Sequence, residues 1–365
     1  MLGFSKRSQK KASKSPLEIF DQYEQGKPAH QNAISALLPQ LDLNAASVLP
    51  DLDESTFLDL ASIAYCETYI EANRKENPVD ILNYGVATAN NVAIVGADSY
   101  LFIGDGANEW EKQFLGKARL DLGWARKWEK LFKMRRKRAE HEGVQLVNFV
   151  IPEKQVLLSH KRWPGIESGL VGAARPMRRL LASLRQDASL LYPEQELRQA
   201  EAIAPVYSRH DSHWSVFGCC IAMQALLGEI GHTPPLEQLK FAVTRCNRPR
   251  DLLVHFFNTS ITEDTLRLDQ NGVRKEYNEK PERTGRFNGT YYKLQNENAP
   301  DKRRIAVFGD SYSFTEGVTY VLSAIFETVV FLWSKDIDWL LIAEQEINVV
   351  VWEHAERFMI TIPEE

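Results

Sequence analysis

Cysteine is scarce in this chain: four residues in 365, Cys66, Cys219, Cys220 and Cys246, with no Cys-x-x-Cys spacing among them. That leaves no disulfide framework and no thiolate cage for a metal, and it suits a reducing compartment. The opening stretch, Met1 to Ser15, is polar and basic and lacks an apolar core of about seven residues, so it reads as neither a secretory signal nor a transmembrane helix. A cytoplasmic protein with no transmembrane segment is the expectation. An excess of positive charge is also missing. The formal net charge is −5, which argues against general nucleic-acid binding. There is no His-Glu-x-x-His pattern, no internal repeat and no low-complexity tract. What is present, 44% hydrophobic and 25% charged residues over a length that can bury a sizeable core, is the composition of a folded soluble protein.

Residues 1–80 read as a helical preamble, with helix-like apolar spacing over Pro16–Gln25, Asn32–Leu38 and Glu54–Lys75, punctuated by Pro50 and Pro78. From Val92 onward strand and helix patterns alternate. Strands are predicted at 144–151, 189–192, 305–308, 328–332 and 348–352, and helices at 110–142, 178–185, 215–230, after Ser311 to Ile325, and at 339–344. Such alternation predicts an α/β fold, a mostly parallel sheet covered by helices on both faces, with chemistry at the carboxyl ends of its strands. Residues 258–304 shift to Asn, Arg, Glu, Gly and Lys with Tyr277, Phe287, Tyr291 and Tyr292 interspersed. They read as a long loop or small insertion in an 81–365 domain, either a surface excursion or a lid whose aromatic faces suit sugar rings.

Two short motifs carry chemistry. One is Ile305-Ala306-Val307-Phe308-Gly309-Asp310-Ser311, an apolar strand followed by a glycine that allows a sharp turn and leaves the Ser311 hydroxyl exposed. A helix beginning just after Ser311 would aim free backbone N–H groups at an oxyanion. The other is Asp211-Ser212-His213-Trp214. A serine hydroxyl needs a base within hydrogen-bond reach and a third group that fixes the tautomer of that base. His213 and Asp211, two residues apart in an extended or looped segment, point to the same side and fit those two tasks.

Gly-Asp-Ser followed by an aromatic residue and Ser, with Asp-x-His-Trp upstream, resembles the SGNH hydrolase-like domain of the alginate O-acetyltransferase family. Val95–Asp105 is similar to that family's first hairpin and Pro152-Glu153-Lys154 to its Pro-x-Lys segment, so the resemblance spans roughly residues 81–362. The family usually has Thr where Ser212 stands and Asn where Glu153 stands. The resemblance implies an SGNH-like three-layer sandwich with Ser311 as nucleophile, His213 as base and Asp211 as orienting carboxylate. It implies an O-acetyltransferase acting on a carbohydrate acceptor, a bacterial surface polysaccharide or its precursor, through an acyl-enzyme. An esterase with the same triad and a non-catalytic carbohydrate-binding protein are the alternatives. No bound cofactor is expected. In a cytoplasmic setting acetyl-coenzyme A is the expected acyl donor.

Three further readings compete with or extend this one. His210, Asp211 and His213 could join Glu353 and His354 around a metal. The basic run from Arg126 to Arg138, with Arg135, Arg136 and Arg138 at its end, is either a solvated face or a contact for an anionic polysaccharide, a phosphate-bearing donor or an anionic membrane surface. Cys219 and Cys220, in the apolar stretch Val216–Leu227, read as buried small thiols.

Overall fold

A computed structural model describes residues 56–57, 59–74, 78–166, 172, 174–184, 190–232, 236, 239–257, 259–276, 289–314 and 317–364. The expected helices at 16–25 and 32–38 lie outside the described residues, as do Tyr277 and Phe287. In chain order the strands are β1 (Thr56–Phe57), β2 (Ala93–Val95), β3 (Leu101–Ile103), β4 (Gln145–Ile151), β5 (Leu190–Leu191), β6 (Lys240–Pro249), β7 (Ser260–Leu268), β8 (Arg274–Glu276), β9 (Tyr291–Gln295), β10 (Asp301–Gly309), β11 (Phe326–Trp333) and β12 (Val349–Ala355). The helices are α1 (Leu60–Ala72), α2 (Trp110–Phe114), α3 (Trp124–Glu142), α4 (Lys154–Leu157), α5 (Pro176–Ser183), α6 (Glu194–Glu201), α7 (Val216–Glu229), α8 (Val254–Phe257), α9 (Val318–Ile325) and α10 (Trp339–Glu344).

The central sheet runs β5-β4-β12-β10-β11-β9-β8. Its first five strands are parallel, and β9 and β8 extend it antiparallel. Continuous apolar runs such as Ile305–Phe308 and Val349–Trp352 form its middle because both faces are covered, so inward and outward positions alike must be apolar. Ile305, Val307, Val349 and Val351 pack into one core with α1, α6, α7 and α9, while Ala306, Phe308, Val350 and Trp352 pack into the other with α3, α5 and α10. The result is the expected three-layer SGNH-like α/β sandwich, with a helix, α1, before it. No helix among the described residues is long and apolar enough to cross a membrane.

Two expectations fail locally. The helix anticipated over 110–142 is broken into α2 and α3, and Gly116 and Gly123 stand between them at φ of +69° and +72°, backbone that favours glycine. Residues 258–304, expected as a loop or small insertion, contain three whole strands, β7 to β9, and the start of β10. β7 pairs with β6, and β1 joins them to make a separate three-stranded antiparallel sheet; β8 and β9 widen the central sheet and bury Tyr291 and Tyr292 in it. That buries two of the aromatic residues suggested for a lid. We refer to β6 and β7 as the wing. β7 packs on α1, and its Asp264 and Thr265 line the same cavity as Ser311, just past the end of β10.

Candidate active site

β10 ends at Gly309, and the chain turns immediately afterwards through Asp310 to Phe314. Asp310 organises this elbow. Its Oδ1 accepts the Tyr312 N–H at 2.9 Å, its carbonyl accepts the N–H groups of Ser313 and Phe314 at 3.2 Å each, and its Oδ2 accepts the Ala355 N–H at 2.8 Å, tying the turn to the end of β12. Ser313 Oγ donates to Glu353 Oε2 at 2.5 Å. Glu353 lies fully buried, and burial followed by the neighbouring Asp310 charge holds its carboxyl well above the usual range. Gly309 serves here by close approach, since a Cβ would sit 2.8 Å from both Glu353 Oε2 and Ser313 Oγ. The expected helix does not begin at Ser311. α9 starts at Val318, after Gly317, and the elbow N–H groups of 312–314 are already taken. The Ser311 N–H has no partner among the described residues, which makes it the elbow donor open to an oxyanion.

The second segment, residues 207–214, is a loop closed by a bridge between Tyr207 and Trp214 and leading into α7, whose first turn Ser215 caps through the Gly218 N–H at 3.0 Å. Asp211 Oδ1 accepts the His213 backbone N–H at 3.1 Å, and that local turn brings both side chains to one side. His213 packs against the Tyr312 ring, centroids 4.8 Å apart, and the Tyr312 hydroxyl donates to the Ser212 carbonyl at 2.8 Å. Behind the loop, the buried Lys154 Nζ donates to the carbonyls of Ser208 (2.6 Å), Arg209 (2.9 Å), Asp211 (3.1 Å) and Leu101 (2.7 Å). Burial pulls Lys154 down to about 7 against the opposing pull of Asp211 and Asp251.

These two segments bring the three expected side chains into one line. His213 Nδ1 lies 2.6 Å from Asp211 Oδ1, and His213 Nε2 lies 2.8 Å from Ser311 Oγ. Burial opposes ionisation of Asp211, but His213 and then Arg250 outweigh it and hold the carboxyl well below the usual carboxylate range. Burial likewise opposes charge on His213, and Asp211 followed by Asp251 overcomes it and raises the imidazole above its ordinary value. Ser311 opens on a cavity of about 460 Å³ whose lining includes charged residues: Glu67 and Glu71 from α1, Arg74 just past it, and Arg248 and Asp264 from the wing.

Asp251 lies against His213 and was missed by the sequence reading. It sits just past β6, with Oδ2 3.6 Å from His213 Nδ1. Its Oδ1 accepts the Ser212 N–H at 2.7 Å, and its Oδ2 accepts the Ser212 hydroxyl. Burial and the adjacent Asp211 push its carboxyl up to about 6. Nothing in an Arg-Asp-Leu stretch marks it as a partner of a histidine some forty residues upstream.

The residues weighed as a metal site do not converge. His210 is buried, its imidazole pushed down to about 2 by burial and then by Arg74 and Lys154. Glu353 faces Ser313, while the adjacent His354 points to the other face of the sheet and stacks on Trp352 at 4.5 Å. Among the described residues, the carboxylate and imidazole groups that do come together are Asp211, His213 and Asp251, and both His213 nitrogens are engaged as above. Cys219 and Cys220 are buried in α7, as expected. In the basic run, Arg135 is buried with its guanidinium 4.6 Å over the Trp352 ring, and Arg136 and Arg138 pair with Glu140 and Glu142 one turn on. α3 covers the sheet face opposite α7 and α9.

The SGNH hydrolase-like domain of the acetyltransferase AlgX matches residues 93–336. Among solved structures the chain is similar to Bacillus cereus PatB1, at 16% identity and a TM-score of 0.53 over 74% of this chain and 100% of that one. A DHHW family protein from Eubacterium siraeum is similar at 15% identity and a TM-score of 0.50, over 76% and 94%. The O-acetyltransferase domain of Pseudomonas putida AlgJ gives 18% identity and a TM-score of 0.46 over 74% and 93%. At such identities the first two likenesses are likenesses of fold. No curated protein matches the chain. The family match overturns one expectation, acetyl-coenzyme A as donor, because acetyltransferases of the AlgX type work independently of it. The buried Arg135 likewise takes one arginine of the basic run out of reach of a phosphate-bearing donor. A match across more than half of the sequence, on a fold whose strand ends carry the family's motifs, decides the identity: this chain belongs to the SGNH hydrolase-like acetyltransferase family of AlgX.

Proposed function

We propose that this protein is a serine-dependent O-acetyltransferase that passes an acetyl group through an acyl-enzyme on Ser311 to a carbohydrate hydroxyl, on a bacterial surface polysaccharide or its precursor. The observation that carries this reading is the unbroken hydrogen-bond line Asp211–His213–Ser311, 2.6 and 2.8 Å, opening on the cavity. A hydroxyl attacks a carbonyl only as it loses its proton, and His213 Nε2 is placed to take it. As the Oγ–carbon bond forms, the carbonyl oxygen gains negative charge beside the Ser311 N–H. Collapse expels the donor's leaving oxygen, which receives the proton from His213. Deacylation repeats the steps in reverse order: the acceptor hydroxyl gives its proton to His213, its oxygen bonds the acetyl carbon, and Ser311 Oγ leaves with that proton.

The test uses p-nitrophenyl acetate, with a burst of nitrophenol and an acetyl mass gain on Ser311 as readouts. A second PatB1 structure carries a sulfonyl adduct, so a sulfonyl fluoride is the independent probe. Ser311→Ala is expected to abolish burst, acetylation and sulfonylation, a loss on the order of 10⁴ or more, with an unchanged melting temperature. A retained burst overturns the assignment of Ser311. Acetyl transfer from the loaded enzyme to oligosaccharides supports the transferase; release to water alone, across neutral and anionic glycans, assigns an esterase instead.

A further inference from the structure

We propose that Asp251 is a second carboxylate of this site, a positioning residue that shares the charge of His213 with Asp211 and replaces Asp211 when it is lost. This rests on the Asp211–His213–Ser311 reading and extends it to a fourth residue. Asp251 reaches His213 Nδ1 at 3.6 Å, against 2.6 Å for Asp211, so a displacement of about 1 Å would let Asp251 accept the hydrogen bond that the ring N–H now gives to Asp211. It is oriented rather than incidental. Both of its oxygens are engaged by Ser212, through N–H and hydroxyl, and its own N–H points to Asp211 Oδ2 at 3.4 Å.

Two carboxylates this close repel each other unless something positive lies between or behind them. Arg250 stands behind, 3.9 Å from Asp211, but it is also committed to Glu263. The imidazolium that forms when His213 takes the Ser311 proton is the positive charge the pair faces. Both carboxylates then favour the protonated base, while the Nδ1–H stays on the ring and no proton passes to either acid. The charged groups facing His213 are Asp211 on its own loop, Asp251 past β6, and Arg357 past β12, which disfavours the protonated form. From the elbow it meets the uncharged Tyr312 ring.

The test is a cycle of Asp211→Ala, Asp251→Ala and the double variant in the acylation burst, with Asp251→Asn as the conservative control. Asp211→Ala alone is expected to lose about 10²-fold, and the double variant about 10⁴-fold, the full loss of an unsupported base. Asp251→Asn keeps an oxygen for the Ser212 N–H, removes the charge, and puts an amide donor where the Ser212 hydroxyl donated, so that hydroxyl must turn to accept. The variant is expected to slow acylation about tenfold and to move the acid limb of kcat/KM to lower pH by about one unit. A merely structural anchor predicts otherwise: full rate and an unmoved pH limb in Asp251→Asn, or a single Asp211→Ala already at the floor with nothing further lost in the double. Either result overturns the proposal. Acylation surviving Ser311→Ala sinks the triad itself, whereas a strict Ser311 requirement with a flat Asp251 response sinks only the fourth residue. Melting temperatures of all variants separate these from misfolding.

Discussion

The elbow at Ser311 closes on itself, while the loop carrying Asp211 and His213 is held largely from outside. In the elbow one side chain, Asp310, satisfies the turn and fastens it to β12, so the position of Ser311 is written almost entirely into Gly309-Asp310-Ser311-Tyr312-Ser313. The loop has its own closures, the Tyr207–Trp214 bridge, the Ser208 N–H on the His213 carbonyl at 3.1 Å and the Asp211 turn. Its Asp211–Ser212 tip, however, depends on Lys154 past β4, Asp251 past β6 and Tyr312 of the elbow, and Glu67 of α1 holds the head of α7 that follows it. A nucleophile at a strand end is placed by short-range chemistry. Its base is placed by side chains scattered along the chain, and only the completed fold assembles them.

The sharpest way to break that comparison is Lys154→Met. It takes the shared donor from four carbonyls at a buried position; the Arg209 carbonyl keeps the Leu101 N–H, and the other three each cost on the order of 1–3 kcal/mol, so the expected loss is about 3 kcal/mol or more in chemical denaturation. Acylation is expected to fall with it, because Asp211 loses its backbone support. The matching insult to the elbow is Gly309→Ala, where the added methyl meets Glu353 and Ser313 at 2.8 Å, side-chain atoms that can partly give way. The expected cost is about 1–3 kcal/mol. If Gly309→Ala proves the more damaging of the two, the loop is less dependent on its outer tethers than the contacts indicate.

The same contrast explains what could be read from the residues alone. The parallel core was legible because its strands are uninterrupted apolar runs, and Ser311, His213 and Asp211 were legible because their motifs are local. The wing was not: β6 is half exposed and includes Arg245, Asn247, Arg248 and Pro249, so it carries no strong apolar signal, and Asp251 was lost with it. β7 to β9 hid within a polar composition because their pairing, rather than their hydrophobicity, defines them. Gly309 was legible as necessary but for the wrong reason, a sharp turn instead of a close contact. The break between α2 and α3 needed two glycines to be taken as left-handed, which periodicity does not reveal.

Glu67 gives the gentlest test of the outer tethers. Its Oε1 accepts the Val216 N–H at 2.9 Å, just after Ser215 closes the loop, and burial pushes its carboxyl up to about 7 against that hydrogen bond. The folded pKa therefore lies above the unfolded value of 4.5, and the folded state binds the proton more readily. Stability must then fall as pH rises from 4.5 through about 7, where the folded carboxyl ionises. Glu67→Gln keeps an oxygen for Val216 and cannot ionise. Its melting temperature is expected to match wild type near pH 4.5 and to exceed it near pH 8. The gain should be about 1 kcal/mol, since the carboxylate lines the open cavity and solvent reduces the cost of its charge. Equal melting temperatures at both pH values would mean that Glu67 already ionises freely in the folded protein. The Val216 contact would then tether the loop as a charged cap on α7 instead of a neutral one.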